Sequence, residues 1–236
     1  LAVAQERVRL LSNFILEVSH EFRTPLSVIN TSVYLLNRIS DPDRQSEHLG
    51  KISEQVRSIN ALVDGMLTIT RLDGAGSTQQ QPIAINEMLI GLREKLEDRL
   101  EDKQINLRED YAPDLPMISG DRDELALMLR HVLDNAVRYT EQGGSVSIAS
   151  RAVDGEVVIE VADTGVGIKP SALPSIFDVF FREDSAHTTK GLGLGLSIVK
   201  RVAERHRGSV EVESEVGRGT IFRIRLPRAG STSNSY

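Results

Sequence analysis

Apolar residues recur at three- and four-residue intervals along the first part of the chain. Val18, Phe22, Leu26, Ile29, Val33 and Leu36 form one series, and Leu49, Ile52, Val56, Ile59, Val63 and Met66 form a second. This is the heptad-like spacing of helices with an apolar seam. Between the two series, ISDPDR (39–44) supplies a stop and a new start, with Asp41-Pro42 as a turn signal and Asp43 placed to cap the next helix. So short a connection predicts an antiparallel hairpin. Two helices alone leave such seams uncovered, so pairing with a second copy into a four-helix bundle is expected. The Gly/Ser/Gln-rich RLDGAGSTQQQ (71–81) then marks a linker.

Beyond it the periodicity mixes. QPIAIN and QINLRED read as short strands flanking a helix over about 86–102, and DRDELALMLRHVLDNAVRYT (121–140) reads as an amphipathic helix that Asp121 caps. SVSIASRAV and EVVIEVAD alternate with period two around Asp154-Gly155, a hairpin signal. A helix over about 193–206 leads to a second hairpin, SVEVESE and GTIFRIRL. Clustered strands with helices on one face predict an α+β sandwich rather than a doubly wound fold. The expected organisation is a helical domain at 1–72, a linker at 73–81, an α+β domain at 82–228 and a disordered tail, AGSTSNSY, at 229–236.

Composition narrows the function classes. A net charge of −6, with six Phe, four Tyr and no Trp, argues against a nucleic-acid surface. The absence of Cys excludes disulfides and thiol ligands and fits a reducing, cytoplasmic setting. No apolar run approaches the roughly 18 residues that span a bilayer. The chain opens at Leu1 inside a helical pattern and reads as a piece of a longer protein, with any sensor region or membrane anchor lying upstream.

Two glycine-rich stretches carry candidate chemistry. DTGVGI (163–168) follows a strand and GLGLGL (191–196) opens a helix. Glycines let backbone N–H groups approach an anion, and a helix N-terminus favours negative charge. Neither stretch is a P-loop or a Rossmann fingerprint. Their order is more informative. A helix containing Asn135, the Asp-Thr-Gly turn, a loop with Phe177, Phe180 and Phe181, the Gly-rich helix start and GRGT (217–220) follow one another. This series resembles the N, G1, F and G2 boxes of the histidine-kinase ATP-binding domain, a Bergerat-type fold shared with gyrase, mismatch-repair and heat-shock ATPases.

The resemblance implies ATP and a magnesium ion as cofactors. Asp163 would accept a hydrogen bond from the adenine amino group, and Gly165, Gly167 and Ile168 would form the turn around the base. Asn135 would hold the metal, while Arg138 and Tyr139 would line the nucleotide. Lys190, Gly191, Leu192, Gly193, Leu194, Gly195 and Leu196 would form the phosphate segment, and residues from about 177 to 190 a mobile lid whose Arg182 neutralises the transferring phosphoryl group. Two positions depart from the family. His131 stands where a second Asn is common, and either touches the metal or packs against the sheet. Val179 stands where many relatives carry Arg.

His20 falls off the apolar seam, with Glu21 about 100° around the helix and Thr24 one turn on. A neutral imidazole can attack phosphorus, and a neighbouring carboxylate can take the ring's other proton. Without the second domain, Glu21 and Thr24 read as plain helix surface. His48, His187 and His206 read as solvated or structurally satisfied. SHEFRTPL (19–26) resembles the H box of the histidine-kinase dimerisation and phosphotransfer domain. That resemblance implies His20 as phosphoacceptor, Glu21 as general base, Thr24 as phosphatase residue, a homodimer, and a separate response-regulator receiver domain as partner. A non-catalytic ATP-gated scaffold and a conformational ATPase are the rival readings. Pro25 removes the N–H that would bond the Glu21 carbonyl, which predicts a bend beside His20.

Overall fold

A computed structural model describes residues 2–74, 79–183 and 192–229, with side chains from residue 15 onward. The chain divides into two compact units, Leu1–Thr68 and Ile69–Tyr236. The first is a hairpin of α1 (Ala2–Leu36) and α2 (Pro42–Asp73), the latter running on into the second unit. Asp41 accepts the Asp43 N–H at 3.0 Å, so Asp41 rather than Asp43 caps α2. The Gln45 amide braces the turn by donating to the Ile39 carbonyl at 2.7 Å.

The predicted seam of α1 separates into two stripes. Phe22 and Ile29 are half-buried and Pro25 is buried, as is Ser32, while Leu26 and Val33 stay 47% and 46% exposed. On α2, Ile52, Ile59 and Met66 are half-buried and Leu62 is buried, whereas Leu49, Val56 and Val63 stand exposed seven residues apart. One stripe closes the hairpin and the other faces away from it. α1 continues through Pro25 as helix.

The second unit begins at Ile69, ahead of the glycine-rich linker, because Ile69 and Leu72 are buried in its core. It contains β1 (Gln81–Ile83), α3 (Ile85–Glu94), α4 (Glu97–Asp102), β2 (Asn106–Tyr111), β3 (Ile118–Gly120), α5 (Arg122–Tyr139), β4 (Ser145–Val153), β5 (Glu156–Asp163), α6 (Gly195–Arg205), β6 (Ser209–Glu215) and β7 (Gly219–Pro227). The main sheet has the order β2-β4-β5-β7-β6; β2 runs parallel to β4 and the remaining pairs are antiparallel. β1 and β3 pair separately. The single helix expected over 86–102 is two. The chain tightens at Lys95–Leu96, where the Leu96 N–H bonds the Arg93 carbonyl at 2.8 Å, and this keeps Leu92, Leu96 and Leu100 all buried.

Alternation places Val146, Ile148 and Ser150 of β4 and Val157, Ile159 and Val161 of β5 under the helices. α5 and α6 contribute Leu125, Leu129, Leu133, Ile198, Val199 and Val202 to the same core. The opposite face is polar and carries ion pairs between strands, among them Arg223 with Glu160 and Glu213, and Arg225 with Glu211. One buried face and one wet face is the usual state of an antiparallel sheet. Ala229 is still tied down, its N–H bonding the Met117 carbonyl at 2.8 Å; the rest of the expected disordered tail lies outside the described residues.

Candidate nucleotide site and phosphoacceptor helix

α5 presents one half-open stripe. His131, Asn135, Arg138 and Tyr139 are its solvent-reaching residues on that side, spaced by about one helical turn, while Val132, Leu133, Ala136 and Val137 are buried. Its N-terminus is capped by Asp121, whose carboxylate accepts the Asp123 and Glu124 N–H groups. His131 packs against the first turn of α6: a Cβ on Gly195 would lie 3.1 Å from its Nδ1. Burial pushes its pKa down to about 4, with the nearby Arg130 adding to the effect, so the ring is neutral near pH 7.

The turn after β5 closes on the end of α5. Asp163 Oδ1 accepts the Gly165 N–H at 2.8 Å, and the Val166 N–H reaches the Tyr139 carbonyl at 3.3 Å. Any side chain on Gly165 would collide with that same carbonyl. Gly167 has φ +71° and sits against the Glu215 backbone, so a Cβ there is excluded both by conformation and by space. Ile168 donates its N–H to Ser214 Oγ at 2.9 Å. Gly219, with φ +116°, packs against the Asp163 carbonyl, and this seats the start of β7 beneath the turn. Burial raises the Asp163 pKa, and backbone N–H donors from Gly165 and Thr220 pull against that rise.

α6 starts without a side-chain cap; the preceding residue, Leu194, is buried in helical conformation. The first N–H groups of a helix have no intrahelical partner, and among the described residues no side chain takes them. Gly193 takes φ +68° and its carbonyl accepts the Phe180 N–H at 3.0 Å; a Cβ on Gly193 would stand 2.5 Å from the Phe180 carbonyl carbon. Phe180 itself has φ +65°, a costly conformation for an aromatic residue. Phe177, Val179, Phe180, Phe181 and Leu192 pack against the core. Arg182 is half-buried, and Glu183 pairs with Lys169 at 3.4 Å. Lys190, Gly191, His187 and the rest of 184–191 lie outside the described residues.

In the first unit His20 is exposed on α1, Glu21 is half-buried, and the Thr24 hydroxyl donates to the His20 carbonyl at 3.4 Å. Elsewhere His206 is buried. Its Nε2 accepts the Asp121 N–H at 3.0 Å and its Nδ1 lies 2.8 Å from the Val202 carbonyl, which requires the proton on Nδ1. That is a structural role. His48 has one ring nitrogen buried without a partner. Sequence reasoning missed Lys103, whose ammonium reaches the carbonyls of Val137, Arg138 and Thr140 at 2.9, 2.7 and 2.9 Å.

Comparison with known proteins matches residues 10–75 to the His Kinase A (phospho-acceptor) domain and residues 120–230 to the histidine kinase-, DNA gyrase B- and HSP90-like ATPase. The chain is 34% identical over 227 residues to the sensor protein SrrB of Staphylococcus aureus (strain N315), covering 93% of this chain and 38% of that protein. It therefore spans well under half the length of the curated relatives it matches. A mycobacterial sensor histidine kinase, MprB, is 30% identical with a TM-score of 0.56, covering 63% of this chain and 97% of that one. Full-length ShkA, solved in complex with AMPPNP, is 30% identical with a TM-score of 0.68, covering 92% of this chain and 46% of that one. Hairpin and sandwich thus define a phosphoacceptor module followed by an ATPase-type module. The chain belongs to the sensor histidine kinases.

Proposed function

We propose that this chain is the catalytic core of a two-component sensor: it moves the γ-phosphoryl group of ATP to His20, and from there to an aspartate of a separate response regulator. One observation carries the reading. The turn at Asp163 closes on the Tyr139 carbonyl through a glycine that admits no side chain, and His131 on the same helix meets the start of α6 at Gly195, which no described side chain caps. Asp163 and Gly165 bind adenine, Arg138, Tyr139 and Ile168 line the nucleotide, and the N–H groups of 192–196 meet the phosphates. Gly191 and Lys190 extend that segment.

A ring nitrogen of His20 attacks the γ-phosphorus, the bond to the β-phosphate oxygen breaks, and ADP leaves. Glu21 takes the proton from the other ring nitrogen and offsets the imidazolium charge. Arg182 neutralises the phosphoryl oxygens. The phosphohistidine then gives its phosphoryl group to a regulator carboxylate. Thr24 positions a water in the reverse, phosphatase direction.

Magnesium suits the donor set. Among the described residues no cluster of three His, Cys, Asp or Glu side chains is placed to hold a metal. An ion that takes most of its ligands from phosphates and water, plus the neutral amide oxygen of Asn135, fits this arrangement. When bound it supplies charge compensation to the phosphates.

The exposed apolar stripe of Leu26, Val33, Leu49, Val56 and Val63 is the face a second copy covers, giving the homodimer. The functional division we propose is phosphotransfer at 1–72, linker at 73–81 and catalysis at 82–228. We place the core in the cytoplasm, the setting its Cys-free composition fits. No described helix is long and apolar enough to cross a membrane.

The binding half is tested by calorimetry with a non-hydrolysable ATP analogue and magnesium. One site per chain is expected. Asp163→Asn should weaken it by about 10- to 100-fold, the value of one hydrogen bond to a charged acceptor. Equal binding by the variant would remove Asp163 from the site.

A further inference from the structure

The C-terminus of α5 has an unusual arrangement. A helix leaves its last four carbonyls without intrahelical partners. Here Ala136 O is taken by the Thr140 N–H at 3.1 Å and by the Thr140 hydroxyl at 2.6 Å. Tyr139 O is taken by the Val166 N–H of the Asp163 turn. The two that remain, on Val137 and Arg138, converge on the Lys103 ammonium together with the carbonyl of Thr140 just past the helix. An ammonium has three N–H donors, so every one is used. The Lys103 backbone holds the same segment from the other side, its carbonyl accepting the Gly143 N–H at 2.9 Å. Gln104, at φ +52°, turns the chain sharply after α4 and so aims Lys103 at this point. Burial, with Arg99 and Arg138 nearby, pushes the Lys103 pKa down; three carbonyl dipoles and the negative end of the α5 dipole face the charge.

We infer that Lys103 is a positioning residue for base recognition, acting through the end of α5. Thr140 leaves α5 in extended conformation, with ψ 131°, and so the Tyr139 carbonyl is free of the helix and can anchor the turn that carries Asp163 and Gly165. With the Lys103 side chain removed, three carbonyls, two of them part-buried, lose their donor together. The helix end then shifts or frays, and the anchor for the turn goes with it. Lys103 touches neither base nor phosphate in this account. Its removal weakens adenine binding and adenine selectivity, and leaves the phosphoryl-transfer step intact once ATP is bound.

This rests on the nucleotide-binding reading above, and the test separates the two. Dissociation constants of non-hydrolysable ATP and GTP analogues are measured by calorimetry for the wild type, Lys103→Met, Lys103→Arg and Asp121→Ala. Asp121→Ala removes the cap at the opposite end of α5 and is the control for general destabilisation. Lys103→Met should raise the dissociation constant for the ATP analogue by ~10-fold (about 1.4 kcal/mol) and shrink the ATP-over-GTP preference. At saturating ATP its autophosphorylation rate should stay within about twofold of wild type, a KM effect rather than a kcat effect. Asp121→Ala should lower the melting temperature but keep wild-type affinity. Lys103→Arg, whose planar fork cannot serve three converging carbonyls, should fall between. If Lys103→Met does not fold, Lys103→Arg carries the comparison: weaker binding supports the role and wild-type binding overturns it. Wild-type affinity and selectivity in Lys103→Met, or an equal loss in Asp121→Ala, would also overturn it. Absence of binding by the wild type would instead sink the nucleotide reading itself.

Discussion

His131 packs α5 against the start of α6, and its burial gives it a pH signature. Its pKa is about 4 in the folded protein against an ordinary 6.5. The folded state therefore binds this proton less readily than the unfolded chain. Stability is complete above pH 6.5 and falls as pH drops from there toward 4, by on the order of 3 kcal/mol for this group alone. Denaturant melts at a series of pH values should show that loss in the wild type, and a flatter profile in His131→Asn; identical profiles would mean that His131 is not held neutral. Gly219 makes a second residue-scale test. Its φ of +116° and its contact with the Asp163 carbonyl leave no place for a Cβ. Gly219→Ala should cost about 1–3 kcal/mol of stability and lower the melting temperature by several degrees, read by calorimetry.

At the scale of elements, Pro25 is the feature that looked misplaced. It lies within an unbroken α1 and is buried, in line with the half-buried Phe22 and Ile29. The Glu21 carbonyl is still deprived of its helical donor, beside the proposed phosphoacceptor. If that gap lets α1 flex around His20, Pro25→Ala should alter the ratio of kinase to phosphatase rates; unchanged rates for both would remove the hinge role.

The strands of the two hairpins were legible because alternation and Asp154-Gly155 are local signals. The break between α3 and α4 was not, since it serves the burial of Leu96, nor was the parallel pairing of β2 with β4, which no local pattern encodes. The glycines of 163–168 could be read as a turn. What the turn closes on, the Tyr139 carbonyl and the Glu215 backbone, depends on tertiary packing. Lys103 escaped notice for the same reason, because its partners are backbone atoms more than thirty residues away.

At the scale of the molecule, the heptad series showed that apolar seams exist but not that each splits in two. Only the fold separates the stripe that closes the hairpin from the stripe of Leu26, Val33, Leu49, Val56 and Val63 that faces away. A charge placed on the outward stripe should therefore spare the hairpin and break the dimer. Val56→Glu with Val63→Glu should sediment as a monomer while keeping nucleotide affinity; a dimer of undiminished stability would place the interface elsewhere. The boundary of the second unit at Ile69, upstream of the glycine-rich segment, has the same kind of origin, since burial of Ile69 and Leu72 outweighs composition.

In the proposed reaction the phosphoryl group is received by one atom, a ring nitrogen of His20. This is tested by incubating the chain with magnesium and ATP labelled at the γ-phosphate, then measuring protein-bound label before and after acid treatment. The account predicts label that is lost in acid and stable in base, as a phosphoramidate is, absent from His20→Gln and reduced in Asp163→Asn. Label that persists in His20→Gln, or phosphate release from the wild type with no bound label, would contradict it.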